Sequence, residues 1–131
     1  MKARNPVSPE NALLFDSYMT KWQSILNLND WRIERSSKQA VTNMAEVVFD
    51  PESRLATYKI GRCFGSSPVT PFTLEATALH EVLHVLLYDL ANSDASTVAG
   101  AEHQVINVLE KLLLQGGYSF SDKCIEKGAH D

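Results

Sequence analysis

The segment His80-Glu81-Val82-Leu83-His84 holds the side chains best suited to chemistry in this sequence. On a helix, residues four apart project from successive turns on one side, so His80 and His84 can bring two imidazoles to a single Zn2+. Glu81, next to His80, can reach water at such an ion without being a ligand, and would take its proton as general base. Zinc lowers the pKa of that water and polarises a carbonyl, and the chemistry this supports is hydrolysis of a peptide bond. The plain alternative is a pair of satisfied core histidines. The neighbours Leu79, Val82, Leu83, Val85, Leu86 and Leu87 weigh against it. Ionisable groups are costly among such residues, and a metal accounts for all three together.

A catalytic zinc needs a third protein ligand. The extended pattern HExxHxxGxxH would supply a histidine from the same segment, but Leu87 and Leu90 stand where its glycine and histidine belong. The next helical stretch offers Glu102 and His103 side by side. Its apolar residues Val98, Ala101, Val105, Ile106, Val108, Leu109, Leu112 and Leu113 define a face. Glu102 lies about 40° from the centre of that face and His103 about 140° away, at roughly 100° per residue. A carboxylate on a buried face needs a partner, which favours Glu102. His103 stays the alternative third ligand, because histidine is the more typical zinc donor.

These residues need elements to position them. Ser8-Pro9-Glu10 reads as a helix start, with Ser8 as N-cap. Leu14, Tyr18, Trp22, Ile25 and Leu26 then mark one face of a helix running to about Leu28. Three short segments, residues 31–35, 45–49 and 55–60, alternate as strands, and the last two form a hairpin around the turn cluster at 50–53. Residues 65–71 are a loop. A helix over residues 73–90 carries the histidines, is apolar nearly all round, and should be central. Asn92-Ser93-Asp94 breaks it, and a third helix runs from about Ala95 or Thr97 to Gln115, ended by Gly116-Gly117. Helix, three strands, helix, helix is an α+β order, with the strands expected to form a mainly antiparallel sheet.

The chain of 131 residues has the size of one domain, with a core over about 8–116 and a tail at 117–131. A formal net charge of -4 argues against a nucleic-acid binder or a polybasic membrane-surface protein. The two cysteines, Cys63 and Cys124, form no CxxC and read as free thiols of a reducing compartment. The start of the chain shows charge without an apolar stretch, so a cytoplasmic protein is expected.

The combination of His80-Glu81-x-x-His84 with a carboxylate from the following helix resembles the gluzincins, thermolysin-like zinc metallopeptidases, in their minimal form. Residues 76–88, with Ala101-Glu102-His103-Gln104-Val105-Ile106, are similar to small metallopeptidases encoded by phages and prophages, which would place this chain in a bacterial host cytoplasm. More loosely, the resemblance extends to Trp31-x-Ile33, Ala45-Glu46-Val47 and Ala56-x-Tyr58. It implies a zincin-like fold, His80, His84 and Glu102 as zinc ligands, Glu81 as base, and a peptide or protein substrate. It also implies that an edge strand beside the active-site helix pairs with the substrate backbone, which places Ala56, Tyr58 and Ile60 at the substrate. Leu83 departs from the glycine common before the second histidine, and Ile106 occupies the place of the aspartate that often follows the ligand glutamate. Tyr58, Tyr88, Tyr118, Arg62 and His103 are candidates for steadying the oxyanion. The rival to a peptidase is a non-catalytic, zinc-stabilised accessory or protein-binding module, in which the same residues fasten the last two helices together. The sequence leaves the oligomeric state open.

Overall fold

The computed structural model describes residues 4–88 and 96–114; within the last helix it describes the side chains of residues 102, 105–110 and 112–114. The elements in chain order are α1 (Pro9–Ile25), β1 (Arg32–Arg35), β2 (Ala45–Asp50), β3 (Leu55–Ile60), α2 (Pro71–Leu86) and α3 (Ser96–Leu114). The fold is α+β, with an N-terminal helix and, among the described residues, three helices and a three-stranded mixed sheet.

α1 and α2 begin where their capping chemistry dictates. Ser8 accepts a hydrogen bond from the Asn11 amide, and Pro9 sits in the first turn, where a missing N–H costs nothing. The helix ends at Ile25, about three residues before the expected Leu28. Asn27 takes a left-handed conformation (φ 58°), and the amides of Asn27 and Leu28 return to the carbonyls of Ser24 and Gln23 in a Schellman closure. At α2, Thr70 and Thr73 exchange side-chain and backbone hydrogen bonds in a capping box, which starts the helix two residues before the expected 73. The breaker expected at Asn92-Ser93-Asp94, the Gly116-Gly117 stop and the tail lie outside the described residues.

The strands fall where alternation places them, and β2 and β3 form the expected antiparallel hairpin, with Val47 opposite Tyr58. The sheet is mixed, not mainly antiparallel. Its order is β1-β3-β2, because β1 docks on the far side of β3 and runs parallel to it, Ile33 opposite Ala56. The chain after β1 follows the same direction, with Ser36 and Ala40 donating to the carbonyls of Tyr58 and Ile60. Gly61 closes the end of β3: a Cβ there would stand 2.5 Å from the Asn43 carbonyl oxygen. No larger residue fits so close to a neighbouring backbone.

α2 is the central helix, as its apolar circumference implies, packed against α1, α3 and β2. Its Leu74, Leu79, Val82 and Leu83 are sealed from solvent together with Phe15 and Met19 of α1 and Ala56 of β3. On α1 the buried stripe is Ala12, Phe15, Met19 and Trp22, whereas Ile25 is exposed and Leu14, Tyr18 and Leu26 are only partly covered. Trp31 is buried beside β1, its ring edge-on to Phe49 and Tyr88 and covered by the Arg54 guanidinium 4.1 Å away. Cys63 overturns the free-thiol expectation: it is buried and disulfide-bonded. Cys124 lies outside the described residues. Among the described residues no helix is long and apolar enough to cross a membrane.

Candidate metal and catalytic site

His80 and His84 leave the side of α2 that meets α3, one turn apart, with ring centroids 5.0 Å from each other. Each ring is tied to α3 by a carboxylate. Nδ1 of His84 donates to Glu102 Oε2 at 2.7 Å, and Nδ1 of His80 donates to Glu110 Oε2. The two pairs show that α2 and α3 run antiparallel, since the earlier histidine meets the later glutamate. The histidines are mostly covered but reach solvent (14% and 17% exposed), as does Glu102 (19%), whereas Glu110 is sealed. Glu110 Oε1 has no hydrogen-bond partner.

Glu81 turns into the protein and is 5% exposed. Burial raises its pKa to about 7; the His80 charge opposes this, and the carboxylates of Glu46 and Glu110 add to it. The carboxyl group therefore exchanges its proton near neutrality, the property a general base and acid needs. The pKa of His80 is also raised. Burial pulls it down, but the Glu110 hydrogen bond and the charges of Glu81, Glu110 and Glu102 outweigh that pull.

Among the described residues no three histidine, cysteine, aspartate or glutamate side chains already converge as a metal cage. What is present is the ligand chemistry in a paired state. A neutral histidine that donates from Nδ1 keeps its lone pair on Nε2, the arrangement of a metal-ligating imidazole backed by a carboxylate. Two such nitrogens from consecutive turns and a rim carboxylate in Glu102 suit a divalent cation in type and charge.

The structure places Glu81, His84 and Glu102 around His80 and separates them from Ala56, Tyr58 and Ile60. Those three belong to the central strand, not to an edge, and their side chains are buried in the core. Tyr58 donates to Asp16 Oδ1 at 2.8 Å, Asp16 in turn accepts from Arg35 Nε at 3.1 Å, and burial with the Asp16 contact pushes the phenol pKa up. Tyr58 is thus a bolt between sheet and α1, and neither a substrate contact nor an oxyanion donor. Tyr88 is engaged in an aromatic cluster, 4.2 Å from the Phe49 ring, and Arg62 is exposed just past β3. The side chain of His103, and Tyr118, lie outside the described residues.

The buried face of α3 differs from the one drawn through its apolar residues. Ile106 and Glu110 are sealed and Leu109 is partly covered, while Val105, Val108, Leu112 and Leu113 are exposed. The stripe against α2 is therefore Glu102, Ile106, Glu110, at intervals of four. Glu110 was missed because a carboxylate counts toward the solvent side in a periodicity argument. The available signal was its spacing, two four-residue steps beyond Glu102. Comparisons with protein-family models, with curated proteins and with solved structures find no match to this chain.

Proposed function

We propose that this protein is a zinc-dependent peptidase, with His80 and His84 binding the metal through Nε2, Glu102 as third ligand and Glu81 as general base. The observation that carries the reading is the double pairing: an HExxH on a buried helix with both Nδ1 atoms held by carboxylates of the next helix. Zinc, when bound there, supplies a Lewis acid that polarises a peptide carbonyl and acidifies water. Glu81 would take the proton from the attacking water and pass it to the leaving amine. Glu102, at the rim and 2.7 Å from the His84 ring, would give up that hydrogen bond to serve as the third ligand.

The peptide substrate would pair with β2. This strand is the edge that packs against α2, no other described strand covers its outer side, and its Glu46 is near enough to act on Glu81. An open edge offers the N–H and C=O groups that capture an extended chain. The acidic balance fits a protein or peptide substrate better than nucleic acid.

One observation favours the non-catalytic alternative: the same pairs already fasten α3 to α2. The two readings separate in metal content and peptide-library cleavage of the wild type, Glu81→Gln, Glu102→Ala and His103→Ala. The peptidase reading expects about one zinc per chain, lost in Glu102→Ala and kept in His103→Ala. It also expects Glu81→Gln to retain zinc and lose at least about 100-fold in cleavage rate. Full zinc with no cleavage of any peptide by the wild type would leave a fastener, and absence of zinc would end both.

A further inference from the structure

We propose that Glu110 is a positioning residue of the metal site, which holds the His80 ring in its Nδ1–H form so that Nε2 is presented as a ligand. The inference rests on the zinc reading above and adds to it the complete burial of Glu110 and its one unpartnered oxygen, which that reading does not use.

Glu110 is difficult to explain by packing. It has no solvent exposure, and one of its two oxygens has no partner. A sealed carboxylate with an unsatisfied oxygen is worse for stability than an apolar side chain of similar volume. The surrounding contact would accept such a residue, since Ile106, one turn earlier on the same stripe, is fully buried against α2. The one hydrogen bond Glu110 makes is to Nδ1 of His80. Its place in the fold therefore follows from the histidine. An acceptor at Nδ1 selects the tautomer that leaves Nε2 unprotonated, and it stops the ring from turning about its bond to Cβ.

The two glutamates of α3 divide the work according to exposure. Glu102 lies at the rim and can leave His84 for an ion; Glu110 is enclosed and cannot leave His80 without losing its one hydrogen-bond partner. Glu110 thus acts through His80 and does not itself touch metal or substrate. This supplies, two turns beyond Glu102, the support that Ile106 cannot give at one turn.

The test uses the full-length protein, Zn2+ as the only probe, and the variants Glu110→Leu, Glu110→Gln and Glu102→Gln. Zinc affinity is measured by competition with a chromophoric chelator, and the His80 tautomer by imidazole 15N NMR of the metal-free protein at alkaline pH, where the ring is neutral. Glu110→Leu should still bind one zinc, about 10–100-fold more weakly, and lose the fixed Nδ1–H signature. Glu110→Gln keeps an acceptor oxygen, so it should retain the tautomer and recover part of the affinity. It also serves if the leucine variant does not fold. Wild-type affinity together with an unchanged His80 spectrum in Glu110→Leu would overturn the positioning role while the zinc reading stood. Complete loss of zinc stoichiometry in Glu110→Gln, matching Glu102→Gln, would make Glu110 a ligand and overturn it as well. A wild type that takes up no zinc would remove both the reading and the inference.

Discussion

Glu81 carries a cost that its helix could avoid. Burial lifts its pKa from 4.5 to about 7, so the folded chain holds a proton that the unfolded chain releases. The associated stability is fully present below pH 4.5 and is lost as pH rises through about 7. Glutamine at this position does not titrate. The metal-free Glu81→Gln protein should therefore match the wild type near pH 4.5 and exceed it at pH 8, by on the order of 3 kcal/mol. Urea midpoints at the two pH values, in chelator, measure this; equal midpoints at pH 8 would show that the Glu81 carboxylate is accommodated without strain. A residue that lowers stability at neutral pH in the position proposed for the base is what a stability–function trade-off looks like. His80, Glu81 and His84 were legible in the sequence because their chemistry lies in residue type and local spacing. Glu110 was not, because its partner is 30 residues away in the chain and only the packing of α3 on α2 joins them.

At the scale of elements, strand positions were legible and strand order was not. Alternation marks which residues form a strand, but it does not say which edge of a hairpin a third strand will take. β1 takes the free side of β3, and so Ala56, Tyr58 and Ile60 become core. Tyr58→Phe tests this placement. The variant loses the hydrogen bond to Asp16 but keeps the ring beside Phe15, with centroids 5.7 Å apart. Asp16 retains Arg35, so the loss should be about 1 kcal/mol of stability with zinc binding and peptide cleavage unchanged. A large fall in cleavage with intact stability would return Tyr58 to the substrate. The helix faces repeat the lesson. Equal weight on every apolar residue of α3 draws a face that includes Val105, Val108 and Leu112, whereas the packed stripe contains two glutamates whose partners are histidines.

For the whole molecule, the two histidine–glutamate pairs join α3, the last described helix, to the rest of the chain, with Ile106 sealed between them. An ion shared by both helices stabilises the state in which they are docked, and hardly any other. Zinc at about a thousand times its dissociation constant should add about 4 kcal/mol to unfolding, seen as a raised Tm that chelator reverses. The gain should depend on pH in a definite direction. His80 holds its proton above the usual 6.5, because the Glu110 hydrogen bond and the nearby carboxylates outweigh burial. Zinc competes with that proton for Nε2, so its stabilising effect is weakest in acid and grows as pH rises through the raised pKa. The expected slope opposes that of Glu81 in the metal-free protein, so zinc-loaded and chelated samples should diverge from acid to pH 8. Thermal unfolding in parallel zinc and chelator series between pH 5 and pH 8 measures the divergence. Coincident curves across that range would mean that α3 is held by hydrogen bonds and apolar packing alone, with no metal in the joint.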